Sequence, residues 1–264
     1  MIKRIAENGV VTYTFEQFDK IPWLGHGLTT RMGGVSAPPF HSFNLGKNTL
    51  DVKEALEENY RRLIEAHSTE DYRIFLTNQV HGDTIQCVAF NNSDEKLKVF
   101  DETDGLMSDA SKVFLMSFYA DCTPLFFVDP VKKIIAVSHA GWKGTVKNIG
   151  KKTVEQMCDR YGSRPEDILA GIGASAGICC YEVGGEVIEQ LTKAIPTAKD
   201  FYIALENGKY RVDVKKANVA SIMSAGVLEE HIEVSDLCTI CNEEFFSYRR
   251  DGITGRMSGF IYLK

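Results

Sequence analysis

Uninterrupted apolar runs mark the middle of this 264-residue chain. Residues 112–119, 124–128 and 134–138 are dominated by apolar side chains, and each run has the length of a strand. The segment at 129–133, which contains a proline and three charged residues, predicts a turn between the second run and the third. Because continuous apolar runs are typical of strands that are buried on both faces, we expect these three at the centre of a sheet.

Beyond the third run the apolar positions repeat at helical spacing. They predict one helix of about five turns, which is marked by Trp142, Val146, Ile149, Thr153, Met157 and Tyr161. A strand at 168–172 and helices over 185–195 and 213–225 follow. Nearer the N-terminus, Asp51 and Glu54 predict a capping box at the start of another helix, whose apolar face includes His67.

Shorter strands are predicted on either side of this centre. They cover residues 9–15, 74–77, 84–90, 245–249 and 259–263, and a polar stretch occupies 91–95. The chain has no low-complexity segment, no repeat and no Pro/Ser-rich linker, so we expect residues 1–264 to form a single domain. The order of strands and helices predicts an α/β protein, with helices layered on a large, partly antiparallel mixed sheet.

The composition is that of an ordinary globular protein, with 44% hydrophobic and 25% charged residues. A net charge of -6 gives no reason to expect nucleic acid or an anionic membrane as a partner. The apolar stretches are too short for a signal peptide or a membrane span. Seven cysteines, an odd number, fit poorly with a disulfide framework. We therefore expect a cytoplasmic, reduced protein, with a monomer as the default.

Three reactive side chains stand where predicted strands meet loops. His81 follows the strand at 74–77, Cys122 follows the first central run, and His139 ends the third run, each beside glycine or proline. Strand ends are where a rigid sheet passes the chain to loops that carry chemistry. Two histidines and one cysteine that converge there form either an open zinc site with its fourth position free, or a Cys–His nucleophilic pair. Their spacing matches no compact zinc-finger template, so both alternatives stay open.

A second cysteine motif lies near the C-terminus. Cys238 and Cys241 form a CxxC, but a structural zinc site needs a second pair, and none stands at a suitable spacing in the sequence. We interpret these two cysteines as structural, with redox chemistry as the alternative.

Seven ordered motifs resemble those of the bacterial YlmD/YfiH-like family. That family was long described as polyphenol oxidases or laccases, and later as purine nucleoside phosphorylases with adenosine deaminase activity. The resemblance covers almost the whole chain, and its segments are Thr30-Arg31-Met32-Gly33-Gly34-Val35-Ser36, Asn44-Leu45-Gly46, Gln79-Val80-His81-Gly82, Ala120-Asp121-Cys122-Thr123-Pro124, His139-Ala140-Gly141-Trp142-Lys143-Gly144, Cys179-Cys180-Tyr181-Glu182-Val183-Gly184 and Ser247-Tyr248-Arg249-Arg250-Asp251-Gly252. One departure is Ile178, which stands where the family usually has proline ahead of the paired cysteines.

This resemblance implies a catalytic Zn²⁺ held by His81, Cys122 and His139, with copper as an adventitious occupant. It implies a four-layer α/β fold shared with the catalytic domain of cytotoxic necrotizing factor toxins, which is a Cys–His deamidase. The implied reaction is phosphorolysis of adenosine, inosine and S-methyl-5'-thioadenosine, together with deamination of adenosine, so the implied partners are purine nucleosides and phosphate. The alternatives are a metal-free hydrolase or deamidase, with Cys122 as nucleophile and His139 as base, and a nucleoside sensor without catalysis.

Further residues are candidates for the chemistry and for substrate. Asp121, beside Cys122, is a candidate for proton transfer or for orienting the metal ligands. The predicted substrate contacts are Arg31, Asn44, Gln79 and Lys143. Of these, the two cations are candidates to bind phosphate or ribose.

The histidine count bears on the older laccase description. A multicopper oxidase needs about ten histidines for its blue-copper centre and its trinuclear cluster. This chain has six, with no His-x-His pair. Three of them, His26, His41 and His231, fall in predicted loops or charged stretches, where we expect them to be exposed to solvent. The sequence therefore excludes a full multicopper site.

Overall fold

Two β-sheets lie face to face in the computed structural model, and both carry helices on their outer surfaces. The structure describes residues 1–89 and 96–264. The polar stretch predicted at 91–95 and the last residue of the strand predicted at 84–90 lie outside the described residues.

The strands of the described chain are numbered in order. The first eight are β1 (Ile2–Ile5), β2 (Val11–Thr14), β3 (Leu24–Thr29), β4 (Arg73–Thr77), β5 (Ile85–Cys87), β6 (Leu97–Phe100), β7 (Gly105–Ser108) and β8 (Val113–Tyr119). They are followed by β9 (Thr123–Asp129), β10 (Ile134–Ala140), β11 (Leu169–Ile172), β12 (Glu182–Val183), β13 (Tyr202–Ala204), β14 (Tyr210–Val212), β15 (Ile232–Val234) and β16 (Met257–Leu263).

The α-helices are mostly short. They are α1 (Glu16–Asp19), α2 (Lys53–Ala66), α3 (Trp142–Val146), α4 (Ile149–Tyr161), α5 (Gly185–Ala194), α6 (Val214–Met223) and α7 (Tyr248–Asp251). Short 3₁₀ turns occupy Pro165–Asp167, Pro196–Asp200 and Glu229–His231. Within the described ranges, no helix combines the length and the apolar character that crossing a membrane requires.

The strands divide between two large sheets rather than one. A seven-stranded sheet has the order β1-β2-β3-β16-β8-β4-β6, and a six-stranded sheet has the order β15-β11-β9-β10-β7-β5. A small third sheet has the order β12-β14-β13. Most pairs are antiparallel, but β4 runs parallel to both β6 and β8. The predicted α/β class with a mixed sheet and layered helices is confirmed.

The central strands bury both of their faces, which is why their sequences are continuously apolar. In β9, Phe126 and Val128 pack between the two sheets, whereas Leu125 and Phe127 pack under α4 and α6. In β8 the same alternation places Leu115 between the sheets and its neighbours under α2. Each such buried side chain stabilises the fold by about 1.5–3 kcal/mol, so the ends of these strands are rigid supports for a site.

The single helix predicted over residues 142–161 is wrong, because the chain breaks it into α3 and α4. Between them Asn148 adopts the left-handed conformation, with φ 59°. Asparagine tolerates this region better than most residues do. The Asn148 side chain is fixed by Ser221 of α6, whose Oγ donates a hydrogen bond of 2.9 Å to Oδ1. A tertiary contact with α6 therefore accompanies a break that the helical spacing conceals.

The capping box predicted at Asp51 is also wrong. The helix begins at Lys53 with Val52 as its N-cap residue, and no side chain caps it. The Asp51 carboxylate instead accepts hydrogen bonds from the Val52 N–H and from the Asn44 side chain. The acid thus stabilises the loop ahead of the helix rather than the helix itself.

The strand predicted over residues 245–249 is a turn followed by α7. Phe245 and Phe246 are fully buried there, so the apolar pair that indicated a strand belongs to a packed turn. Ser247 then caps α7, since its Oγ accepts a hydrogen bond of 3.1 Å from the Arg250 N–H. A serine cap is a strong start signal for a helix, and here it outweighs the apolar pattern.

His26 lies buried in β3, so the expectation that it is exposed to solvent is wrong. Its Nε2 accepts a hydrogen bond of 2.8 Å from the Phe15 N–H, and this requires an unprotonated nitrogen. Burial outweighs the attraction of nearby Asp19 and lowers the pKa of His26 to about 4. The folded state therefore excludes a proton that the unfolded chain accepts.

We expect the free energy of unfolding to decrease as the pH falls from about 6.5 to about 4, because only the unfolded chain binds a proton on His26 in that window. The folded pKa lies below the unfolded value, so this stability is present above the window and is lost within it, up to about 3 kcal/mol. Urea denaturation at several pH values measures the effect. His26→Gln, which retains a hydrogen-bond acceptor, should flatten the dependence, and an unchanged slope in that variant would contradict the assignment.

Candidate metal centre

Two neighbouring strands of the six-stranded sheet, β9 and β10, bring Cys122 and His139 together at the same end of the sheet. Cys122 lies in the turn between β8 and β9, and His139 is the penultimate residue of β10. In the antiparallel register of β9 and β10, His139 faces Pro124, two residues beyond Cys122. His81 enters from the loop after β4, and the ligand atoms of the three residues lie within 4.8 Å of one another.

A fourth residue, Asp104, holds this group together, and the sequence analysis missed it. Asp104 is fully buried and directly precedes β7, the strand that pairs with β10. Its Oδ1 lies 2.8 Å from Nδ1 of His139 and accepts a hydrogen bond of 3.1 Å from the His81 N–H. Its Oδ2 accepts two more, from the N–H groups of Val80 and Gly82. One carboxylate thus orients both histidines.

The contact with Asp104 decides which nitrogen of His139 is available. With Nδ1 donating to the carboxylate, Nε2 is the nitrogen that faces the cluster, and it can bind a metal once it has lost its proton. Burial opposes the charged form of Asp104, but the hydrogen bond and charge of His139 keep the pKa of this carboxyl below its ordinary value. Metal-binding histidines in proteins commonly have such a carboxylate on the second nitrogen.

Two residues beside the cluster have left-handed backbone conformations, which are strained for side chains other than glycine. His81 has φ 58° and Asp121 has φ 87°. The hydrogen bonds that Asp104 accepts from the backbone N–H groups of Val80, His81 and Gly82 hold the first. The Asp121 carboxylate holds the second, since it accepts hydrogen bonds from Thr239 Oγ1 (2.7 Å), Ser247 Oγ (3.0 Å) and the Arg249 N–H (2.7 Å). In this structure Asp121 therefore fixes the turn that presents Cys122.

The two histidines favour a thiolate at Cys122. Burial of Cys122 alone would raise its pKa, but His139 and then His81 lower it to about 6. Burial likewise disfavours the charged form of His139, yet the Cys122 thiolate and Asp104 raise the pKa of His139 to about 9. The centre is therefore built to hold negative charge on sulfur, as a metal ligand or a nucleophile requires.

Gly141 provides the space in which His81 and Cys122 meet. A Cβ atom at residue 141 would lie 2.7 Å from Cδ2 of His81 and 3.0 Å from Sγ of Cys122. Atoms do not approach so closely without displacement, so the pair depends on glycine at this position.

The three residues fit a zinc ion. Cys122 Sγ lies 3.7 Å from His81 Nε2, and a tetrahedral zinc with ordinary bond lengths places such ligands about 3.6 Å apart. Two imidazoles and one thiolate suit Zn²⁺ and also Cu²⁺. Three protein ligands leave a fourth position open, which is typical of catalytic rather than structural zinc.

Two cavities meet at this centre. The larger has a volume of about 580 Å³ and the smaller about 260 Å³. Both are lined by His81, Ala120, Cys122 and Tyr248. The larger adds apolar side chains such as Leu76 and Phe118 together with the cations Lys47 and Arg256. A ligand that fills the larger cavity contacts the reactive group directly.

The predicted substrate residues fall into two sets. Gln79 lines the larger cavity, with its amide bonded to the backbone of Phe118, and Lys143 lines the smaller one. Arg31 does not line either cavity: it donates to the His41 carbonyl and lies over the Phe246 ring. Asn44 is fully buried, and its Oδ1 accepts hydrogen bonds from the N–H groups of Gly46 and Arg256. Its contact with the larger cavity is therefore indirect.

Arg256 and Arg249 are cavity residues that the sequence analysis did not assign. Arg256 lines the larger cavity, and burial lowers the pKa of its guanidinium. Arg249 lines the smaller cavity, where its guanidinium lies 5.1 Å from the centre of the Tyr181 ring. Arg249 and Tyr181 belong to two of the motifs that carry the family resemblance, and this was the signal in the sequence that could have identified them. Arg256 directly precedes β16 and Asp104 directly precedes β7, and a charged residue ahead of an apolar strand is too common a pattern to single either out.

Comparison with known proteins shows similarity over nearly the whole chain. The family model described as multi-copper polyphenol oxidoreductase laccase matches residues 25–264. The Bacillus subtilis protein named purine nucleoside phosphorylase YlmD is 38% identical over 245 residues, which are 90% of this chain and 88% of that protein. Purine nucleoside phosphorylase YfiH of Escherichia coli is 35% identical over 236 residues, 89% of this chain and 92% of its own. The crystal structure of YlmD from Geobacillus stearothermophilus matches with a TM-score of 0.92 and 35% identity, covering 100% of this chain and 99% of that one.

Proposed function

We propose that this chain is a zinc-dependent purine nucleoside phosphorylase. The chain belongs to the family described as multi-copper polyphenol oxidoreductase laccase, and its bacterial relatives are named purine nucleoside phosphorylases. The proposed substrates are adenosine, inosine and S-methyl-5'-thioadenosine, with deamination of adenosine as a second activity. The observation on which the proposal rests is the convergence of His81, Cys122 and His139 where two cavities meet.

The protein's own residues hold the ligands of the proposed zinc ion in place before the metal binds. His81, Cys122 and His139 would hold the zinc, which when bound supplies a Lewis acid beside the substrate. Asp104 fixes the ring of His139 and the backbone of His81, so that neither ligand has to reorganise. Asp121 holds the turn that carries Cys122, and we propose that it positions this ligand.

The larger cavity has the size and the lining for a nucleoside together with phosphate. Phe118 and Leu76 offer apolar surface to the purine, and Lys47 and Arg256 offer positive charge to the phosphate. The stem of Arg256 packs where a Cβ at Gly46 would stand, 2.6 Å from Arg256 Cγ. We propose that Arg256 orients the attacking phosphate, that Gln79 shapes the wall, and that Asn44 positions Arg256.

The remaining two predicted contacts have separate proposed roles. Lys143 lines the smaller cavity beside Trp142, so it can meet a polar group that extends beyond the metal centre. Arg31 approaches Asp251 to 4.0 Å and lies over Phe246, so we propose that it supports the loop between the two cavities rather than binding phosphate directly.

Product analysis with inosine tests the proposed reaction. We expect hypoxanthine and ribose 1-phosphate to form only when inorganic phosphate is present, because phosphate is the nucleophile in phosphorolysis. Liquid chromatography of reactions with and without phosphate measures both products. Equal release of hypoxanthine without phosphate would show a hydrolase instead, and His81→Ala supplies the control for contaminating activity.

Arg256→Gln should raise KM for phosphate by roughly 10- to 100-fold, because a charge-assisted contact with the anion is lost. The zinc content should stay unchanged, since Arg256 is not among the grouped ligands. Initial rates at varied phosphate measure the effect. Arg160→Gln, a change at an exposed helix position, is the matched control, and an equal KM in both variants would remove Arg256 from the phosphate site.

A multicopper oxidase does not fit the described histidines. Only His81 and His139 belong to a potential metal group in the described ranges. His26 packs against Phe18, and His67 packs against Phe260. A trinuclear copper cluster needs several converging imidazoles, so we propose no polyphenol oxidation through such a cluster.

A second candidate is a metal-free hydrolase, and one geometric observation favours it. Asp104, His139 and Cys122 form a chain in which a carboxylate orients a histidine beside a cysteine, which is the arrangement of a nucleophilic triad. A chelator separates the two candidates. Dialysis against chelator should abolish the activity of a zinc enzyme, and restoration by zinc alone should follow, whereas a hydrolase whose melting curve shows that it stays folded would keep its activity.

A further inference from the structure

Four cysteines from two distant segments meet beside the loops of the metal centre. Cys179 and Cys180 follow β11, Cys238 and Cys241 follow β15, and their Sγ atoms all lie within 4.8 Å of one another. The expectation that the CxxC lacks a second pair is therefore wrong. The second pair consists of adjacent residues about 60 positions earlier, so no local spacing reveals it.

We propose that these four cysteines form a second metal site, closed and structural, which binds Zn²⁺. Sγ of Cys179 lies 3.8 Å from Sγ of Cys241. A tetrahedral zinc with four sulfur ligands has bonds of about 2.3 Å, which place neighbouring sulfurs about 3.8 Å apart. A disulfide would need about 2.05 Å. Four protein ligands fill the coordination sphere, so this site has no open position for chemistry.

A backbone amide points at the most buried of the four sulfurs, Cys238. The Gly177 N–H donates a hydrogen bond of 3.2 Å to Cys238 Sγ. An amide that points at a cysteine sulfur stabilises the thiolate that a metal requires. The loop ahead of Cys179 thus already supports a negatively charged sulfur.

A buried lysine supplies a second, independent observation. Lys215 of α6 is 8% exposed, and its Nζ donates hydrogen bonds to the carbonyls of Ser235 and Leu237, next to Cys238. In the described parts of the chain, no carboxylate forms a salt bridge with it. A buried ammonium is stabilised by nearby negative charge. Zinc with four thiolates carries a net charge of about −2, which would add to the charges of Asp213 and Asp236 near this lysine.

The proposed site would join the segment that carries Tyr181, in the wall of the smaller cavity, to the segment whose Thr239 bonds Asp121. Tyr181 directly follows Cys180. The Arg249 guanidinium lies over the Tyr181 ring, and its Nη1 donates a hydrogen bond to the Glu182 carbonyl. Thr239, between Cys238 and Cys241, donates to Asp121 beside Cys122. A metal that holds the four cysteines therefore fixes the cavity wall and the turn that presents the catalytic ligand.

Metal analysis of protein purified without added metal tests the proposal. The wild type should contain about two zinc ions per chain, one at each site. Cys238→Ser/Cys241→Ser should contain about one. Cys158→Ser removes a thiol that belongs to neither group and should keep both. A folded Cys238→Ser/Cys241→Ser protein with wild-type zinc content would overturn the proposal.

Cobalt spectroscopy decides the case in which the double variant does not fold. Cys122→Ser protein loaded with Co²⁺ retains only the four-cysteine site, and it should show intense thiolate-to-cobalt absorption and the bands of a tetrahedral ion. Absence of these bands in the folded protein would overturn the proposal. So would a disulfide among the four cysteines in protein prepared without oxygen, detected by mass spectrometry. Neither measurement depends on nucleoside turnover, so the proposed enzyme activity stands or fails separately.

Discussion

Replacing Cys122 by serine should lower the rate of phosphorolysis by 100-fold or more, and should remove about one zinc ion per chain from a folded protein. Cys122 lies between His81 and His139, whose charges favour the thiolate. A serine hydroxyl stays protonated there and is a poor ligand for zinc, so metal and activity should be lost together. Zinc analysis and the inosine assay on the same preparation measure both.

The outcome also separates the two chemical candidates. If Cys122 is a nucleophile, Cys122→Ser should lose turnover while its zinc content equals that of the wild type. A melting curve must accompany the assay, because serine at this partly buried position carries a modest folding penalty. Cys158→Ser is the matched control and should keep both activity and zinc. A folded Cys122→Ser protein that retains every zinc ion would remove Cys122 from the list of ligands.

Asp104→Asn should weaken zinc binding by roughly 10- to 100-fold and lower the activity by a similar factor, because the charged partner of His139 is lost. The amide can still accept some of the four hydrogen bonds that the carboxylate receives. Competition with a chromophoric chelator measures the affinity. Asp104→Ala should in addition destabilise the fold by about 3 kcal/mol, since buried donors are left unpaired.

Asp109→Asn is the control for Asp104, because it removes an exposed acid five positions further along the same chain segment. Its zinc affinity and stability should match those of the wild type. If Asp104→Asn binds zinc as tightly as this control does, the carboxylate does not tune the metal. Its role would then be confined to holding the backbone of the loop that carries His81.

The sequence predicted the centre of the fold well because local pattern and burial agree there. The runs at 112–119, 124–128 and 134–138 became β8, β9 and β10, and the helices at 185–195 and 213–225 became α5 and α6. Two of the failures lie where a side chain bonds outside its own helix. Asn148 is bound by Ser221 of α6 where the long helix breaks, and Asp51 is engaged by Asn44, seven residues earlier, instead of capping α2.

The candidate site, like the fold, could be predicted in part from the sequence. His81, Cys122 and His139 carry rare reactive side chains at strand ends, so residue type and position both mark them. Asp104 acts through hydrogen bonds to residues more than 20 positions away, and nothing in its own neighbourhood indicates that. The cluster of four cysteines was not predicted for the same reason, because only the packing of two loops brings the two pairs together.

Gly141 gives a means of sorting related sequences. Because a Cβ at this position would displace His81 and Cys122, a homologous chain with any other residue there cannot keep the centre in this form, even with all three ligands present. An alignment column therefore distinguishes chains that retain the candidate metal centre from chains that retain only the fold. In directed evolution of the enzyme, the same residue should be left out of any mutagenesis library.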